Sequence, residues 1–302
     1  MLVVLFHASG TLGSEAYGAR TVFGDFFSWG HSGVQFFFVL SGFIILSVHR
    51  KDLGRPETFK NYATKRFIRI YPVYWVVLVP LIALYFAVPS FGTGVETELP
   101  VIVGSIFLLG TEPPILTVAW TLFHEILFYA IFGVMILNRG LGMITMGIWF
   151  IGCVLGPTYV FAPINLLFLF GMAAAWFAPR PDKVPALTFC LLGASGFVAV
   201  GVSEWLGWFE PSDTPSTLLY GLTALLVVIG SVRLEQEDKI AIPRAISFVG
   251  DASYSIYLVH YSVIVIGVKI MGGMPAHLLF AIVVLLAAGA GMVLHLLEHF
   301  AI

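Results

Sequence analysis

Hydrophobic residues gather into long unbroken runs, separated by short polar punctuation and with no alternation at strand length. The runs occupy residues 1–9, 33–49, 70–89, 117–137, 141–160, 163–179, 186–207, 215–232, 250–270 and 276–298. A helix needs about 20 apolar residues to cross the hydrocarbon, whereas a membrane barrel would show short alternating strands. The pattern predicts an all-α fold, a polytopic transmembrane helix bundle of about ten spans. The segment 101–110 is too short to cross and reads as re-entrant or interfacial. The first run begins at Met1 and gives way to polar residues after about nine positions, so the first helix reads as truncated. It lacks the basic n-region and small-residue cleavage site of a signal peptide. With no repeat and no soluble segment of appreciable size, residues 1–302 read as one integral membrane domain.

Composition agrees. Hydrophobic residues make up 59% of the chain and charged residues 11%, against roughly 45–50% and about 25% in soluble domains. Mean hydropathy is +0.97. The lipid bilayer is therefore the first partner, and a net charge of −2 argues against nucleic acid. Cys153 and Cys190 both lie in apolar runs and read as buried structural thiols.

Charge orients the runs. Arg50, Lys51, Arg55, Lys60, Lys65, Arg66, Arg69, Arg139, Arg180, Lys183, Arg233, Lys239 and Arg244 fall on one side, and only Arg20 and Lys269 on the other. The basic side is expected to be cytoplasmic. Loops 9–30, 89–100 and 208–215 then face outward, and the basic stretch 50–69 faces inward.

Against this background the polar residues stand out. His124 and Glu125 lie inside the 117–137 run, where facing lipid would cost several kcal/mol. His7 sits near the outer end of the first helix, and its ordinary pKa of about 6.5 suits a base at neutral pH. His31 and Gln35 open an aromatic-rich span at the outer mouth, while Ser41-Gly42 at its middle reads as a close helix approach. Arg66 and Arg69 share a helix face; they serve either as a positive-inside signal or as a fork for a phosphate-bearing ligand. Tyr254, Tyr257 and His260 pattern an apolar helix, either as interhelical hydrogen bonds or as part of a site. No metal-ligating set is read.

Taken in order, VVLFHA, GVQFFFVLSGFII, KRFIRIYP, AWTLFHEILFYAIF and GDASYSIYLVH resemble the acyltransferase-3 family of integral membrane acyltransferases. The stretch PPILTVAWTLFHEILFYAIF is most similar to the branch that acetylates bacterial exopolysaccharide. The resemblance covers essentially the whole chain. It implies a multi-pass enzyme of the bacterial inner membrane with no permanently bound cofactor. Such an enzyme is expected to take an acyl group, acetyl by the resemblance, from cytoplasmic acyl-CoA to a hydroxyl of an extracytoplasmic glycan or polysaccharide. The family's helix-one histidine falls on His7, its arginine pair on Arg66 and Arg69, and its tryptophan and acid on Trp120 and Glu125. Its Ser-Tyr-x-x-Tyr-Leu-x-His motif falls on Ser253, Tyr254, Tyr257 and His260.

On this reading His7 and Glu125 are catalytic and Arg66 and Arg69 hold the CoA phosphates. Trp120, His31, Gln35, Tyr254, Tyr257 and His260 contact substrate. Three departures stand beside the match. The family's usual arginine eleven residues before the histidine would precede Met1. Thr121 replaces a serine. Glu298-His299-Phe300 keeps a terminal acid without the usual proline. Two other readings stay open: a transporter or flippase for a polar glycan or lipid, which buried Glu and His would also suit, and a truncated, inactive remnant.

Overall fold

The computed structural model describes residues 1–110, 113–156, 158–179 and 184–301, without the side chains of residue 25 and residues 299–301. Arg180, Lys183 and the side chain of His299 therefore lie outside the described residues. Among the described residues there are twelve α-helices and no strand. They are α1 Leu2–Gly13, α2 Ser32–His49, α3 Phe59–Ala87, α4 Leu99–Ile106, α5 Trp120–Leu137, α6 Arg139–Leu155, α7 Leu166–Phe177, α8 Ala186–Trp205, α9 Thr214–Gln236, α10 Arg244–Asp251, α11 Ser253–Met271 and α12 Ala276–Ala301. The expected all-α membrane bundle is the observed fold class.

Each of the ten apolar runs holds a helix, but the helices differ in reach. Among the described residues seven helical stretches are long and apolar enough to cross a membrane, and α1, α6 and α7 are shorter apolar helices. The 101–110 segment is the eight-residue α4, short as its sequence demanded. Two boundaries differ from the sequence reading. The run read over 70–89 belongs to a longer helix: α3 starts at Phe59 and carries Pro72 and Pro80 inside it, each removing one backbone donor from the helix ladder. The run predicted over 250–270 is broken after Asp251, where the short α10 gives way to α11.

The helices form two compact units. One comprises Met1–Phe27, Thr64–Ile126 and Pro243–Ile302; the other comprises Ser28–Ala63 and Leu127–Ile242. In the first, α1 lays Val4, Ala8 and Leu12 into a core with Ile256, Ile264 and Val268 of α11 and Leu279, Val283 and Ala287 of α12. Gly291 of α12 lies so close to α11 that a methyl there would run into the backbone of Ile256. The two cations expected on the sparse side of the charge count are both structural pins of this unit. Arg20 donates to the carbonyls of Gly272 and Met274 at 2.8 and 3.1 Å. Lys269 reaches the carbonyl of Phe91 at 3.1 Å and lies 4.6 Å over its ring. In the neighbouring loop the Glu96 carboxylate accepts from the backbone N–H of Thr93 and Gly94 at 2.9 Å each. Burial raises its pKa, but these hydrogen bonds outweigh burial and hold it below the ordinary carboxylate value.

In the second unit small residues set the helix spacing. A methyl on Gly42 of α2 would run into the carbonyl of Phe168 in α7, and one on Gly171 of α7 into the carbonyl of Val39 in α2. The close approach read from Ser41-Gly42 is thus realised. Arg233 of α9 is buried and donates to the carbonyls of Phe177 and Ala178 at 3.1 and 3.2 Å, satisfying the C-terminal carbonyls of α7. Cys153 is buried as expected, whereas Cys190 is half-buried against the backbone of α9 at Gly230; both thiols are free.

The mutual approach of α2 and α7 yields a direct test. Gly171→Ala overpacks the crossing and should cost about 1–3 kcal/mol. Gly147→Ala meets nothing within 4 Å and should be neutral or slightly stabilising, since alanine favours a helix by about 1 kcal/mol over glycine. Thermal denaturation of the two variants in detergent reads the difference.

Candidate functional site

In the first unit α1, α11 and the start of α5 bring polar groups together inside apolar surroundings. His7 is half-buried on α1. Its ring centroid lies 5.1 Å from that of His260 and 4.9 Å, edge-on, from that of Tyr261. His260 is fully buried. Its Nδ1 stands 2.6 Å from the Tyr257 carbonyl oxygen. A carbonyl can only accept, so Nδ1 carries the proton. In the neutral ring Nε2 is then a bare acceptor, and it is buried with no hydrogen-bond partner. The backbone of α11 thus fixes the tautomer of the imidazole beside His7.

The hydroxyl of Tyr257 ties α11 to the entry of α5. It lies 2.8 Å from Thr121 Oγ1 and 3.0 Å from the Val118 carbonyl oxygen, which Thr121 Oγ1 also reaches at 3.0 Å. Two hydroxyl protons and three oxygens make a triangle in which every donor is used. Glu125, one turn along α5, is buried and within electrostatic reach of the Tyr257 and Tyr254 hydroxyls. His124 is also buried, and half-buried Trp120 stands edge-on to it at 5.8 Å between centroids.

The same unit carries the arginine pair. Arg69 is exposed on α3 and sits 5.2 Å over the ring of buried Tyr254. The Tyr254 hydroxyl is engaged at 3.0 Å by the carbonyl of Ile70. The ring face of Tyr254 thus underlies the guanidinium, and its hydroxyl is committed to α3. Arg66 lies half-buried one turn before Arg69 in the same continuous helix. Nearby on α11, Ser255 donates to Glu298 of α12, whose other oxygen is 3.8 Å from His295 Nδ1.

His31 and Gln35 belong to the second unit. His31 Nε2 donates to Glu204 Oε2 at 2.9 Å, and Gln35 Nε2 donates to His31 Nδ1 at 3.2 Å. Tyr220 also donates to Glu204 Oε2, at 2.8 Å. The sequence reading missed Glu204 and Tyr220, and in the first unit it missed Tyr261 as a ring partner of His7. An acid near the end of the 186–207 run was the available signal for Glu204, since a carboxylate there needs a donor.

A family model described as an acyltransferase domain matches residues 1–296. The chain belongs to the acyltransferase-3 family. Its curated relatives include the exopolysaccharide production protein ExoZ of Rhizobium meliloti (strain 1021), 32% identical over 285 residues and covering 86% of each chain. No solved structure matches the chain. This acyltransferase-3 protein is a multi-pass membrane protein, and every motif that carried the family resemblance lies on a helix or on the turn that leads into one.

The Thr121–Tyr257–Val118 triangle makes a prediction of its own. Thr121→Ser keeps the hydroxyl and should match the parent protein. Thr121→Val removes the two hydrogen bonds of the Thr121 hydroxyl, leaving Tyr257 the Val118 carbonyl alone, and should lower stability by about 1–2 kcal/mol. Melting temperature in detergent compares them.

Proposed function

We propose that this acyltransferase-3 protein is an O-acyltransferase of the bacterial inner membrane. It moves an acyl group, acetyl in our reading, from cytoplasmic acyl-CoA to a hydroxyl of an extracytoplasmic exopolysaccharide or related glycan. The observation that carries the reading is the pairing of His7 with His260, an imidazole whose tautomer is fixed by a backbone carbonyl and whose remaining nitrogen is a buried bare acceptor. The relative ExoZ, named for exopolysaccharide production, supports the acceptor class.

The chemistry follows from the needs of acyl transfer. A base takes the proton of the acceptor hydroxyl as its oxygen attacks the thioester carbonyl. The tetrahedral intermediate then collapses, the carbon–sulfur bond breaks, and CoA leaves as the thiolate, which takes up a proton. His7 is the base, and His260 is a positioning residue that keeps an acceptor nitrogen beside it. Glu125 acts from α5 by orienting the base or accepting from the glycan. Arg66 and Arg69 hold the CoA phosphates: a guanidinium fork matches phosphate oxygens, and Tyr254 braces Arg69 from below. Trp120 offers a ring face to a sugar, and Tyr257 and His31 with Gln35 contribute contacts to substrate. The charge asymmetry supports a donor side at the arginines and an acceptor side at the 9–30 loop.

Membranes carrying the protein should transfer label from acetyl-CoA to glycan. His7→Ala and Glu125→Gln should each lower transfer by about 10²-fold or more while the protein still inserts. Full activity in His7→Ala removes the base assignment. The double variant Arg66→Ala/Arg69→Ala should raise the KM for acetyl-CoA, and unchanged donor saturation returns the pair to a topological role alone.

A further inference from the structure

The second unit contains a polar centre around His31 and Gln35 whose acid, Glu204, has no part in the acyl-transfer chemistry above. Glu204, near the end of α8, is buried, its side chain only 1% exposed. Its Oε2 accepts from both His31 Nε2 and Tyr220, while its Oε1 is buried with no hydrogen-bond partner. Gln35 repeats the pattern: its amide nitrogen donates to His31 Nδ1, and its Oε1 is buried without a partner. Two buried acceptor oxygens left without donors are costly, about 1–3 kcal/mol each and more for a charged group. The third observation is Ser212. It holds a left-handed backbone, φ 64°, which a serine rarely adopts. From that turn its hydroxyl stands 3.4 Å from His31 Nδ1, the same nitrogen that Gln35 reaches at 3.2 Å. One lone pair thus faces two long donors, and the exposed Ser212 hydroxyl is the weaker of them.

We propose that Glu204, Gln35 and His31 form a hydroxyl-recognition site for the glycan acceptor, with Ser212 standing where a sugar hydroxyl binds. This rests on the glycan-acceptor reading above and adds Glu204, Tyr220 and Ser212 to it. The unsatisfied atoms of Glu204 and Gln35 are acceptors, so the ligand must bring donors. A sugar diol brings several neutral donors in a compact array. A divalent cation is the poorer fit: the centre has a single carboxylate, which already receives two hydrogen bonds, and among the described residues no set of three or more His, Cys, Asp and Glu is placed to hold a metal. Tyr220 fixes the carboxylate, and the ring of Trp29 packs against α8 at Gly201, where a methyl would come within 2.7 Å of it. These contacts hold the buried members of the centre in place, and Ser212 is its exposed member.

The full-length protein in nanodiscs tests this. The probe is a size-fractionated oligosaccharide mixture from alkali-deacylated exopolysaccharide, with binding read by tryptophan fluorescence. Glu204→Gln should weaken oligosaccharide affinity about tenfold or more, the worth of a charge-assisted hydrogen bond. It should leave the KM for acetyl-CoA within about twofold, because the loss is confined to acceptor binding. Ser212→Ala removes the competing hydroxyl and should bind the oligosaccharides as tightly as the parent or more tightly. Unchanged affinity in a folded Glu204→Gln, or weakened affinity in Ser212→Ala, overturns the site. A fluorescence response to calcium chloride with none to oligosaccharide overturns it in favour of a cation. A parent protein that binds oligosaccharide but transfers no acetyl group overturns the proposed reaction and leaves the site standing.

Discussion

A polar side chain inside an apolar helix has no water to turn to, so its position is decided by the partner it finds. This constraint organises both units. In the first, Tyr257 finds Thr121 and a backbone carbonyl, Tyr254 finds the carbonyl of Ile70, and His260 gives its one proton to the carbonyl of Tyr257. In the second, Glu204 gathers His31 and Tyr220. Backbone carbonyls serve repeatedly as acceptors because a helix carbonyl keeps a second lone pair after its ladder bond is made.

The consequence for chemistry is preorganisation. When one nitrogen of an imidazole is fixed by a backbone oxygen, the other is fixed by elimination, and a ring that cannot swap tautomers is a dependable acceptor. Where such satisfaction is incomplete, a lone pair is left that a donor would satisfy. The bare Nε2 of His260 and the lone oxygens of Glu204 and Gln35 carry such lone pairs.

Much of this was legible in the residues. Unbroken apolar runs announced the helices, the i, i+3 spacing of Arg66 and Arg69 put them on one helical face, and Gly42 foretold a close crossing. The motif order singled out His7, Glu125 and His260 before any geometry was known. Other features were not legible, because hydropathy carries no information about pairing across long sequence distances. Thr121 meets Tyr257 across 136 positions, and His31 meets Glu204 across 173. Nor does an apolar count distinguish the 12-residue α7 from a full span, or show that α10 stops at Asp251. Arg20 and Lys269, read only as charges on the sparse side, prove to be pins on loop carbonyls, a role their residue type alone does not announce.

The central claim is that the paired imidazoles and buried carboxylate of the first unit acylate a surface glycan. Mass spectrometry of exopolysaccharide from a strain lacking the gene, complemented with the parent protein or with Glu125→Gln, tests it most directly. Acyl substituents should vanish in the deletion, return with the parent and stay absent with Glu125→Gln. Exopolysaccharide that keeps its full acyl content in the deletion strain would contradict it.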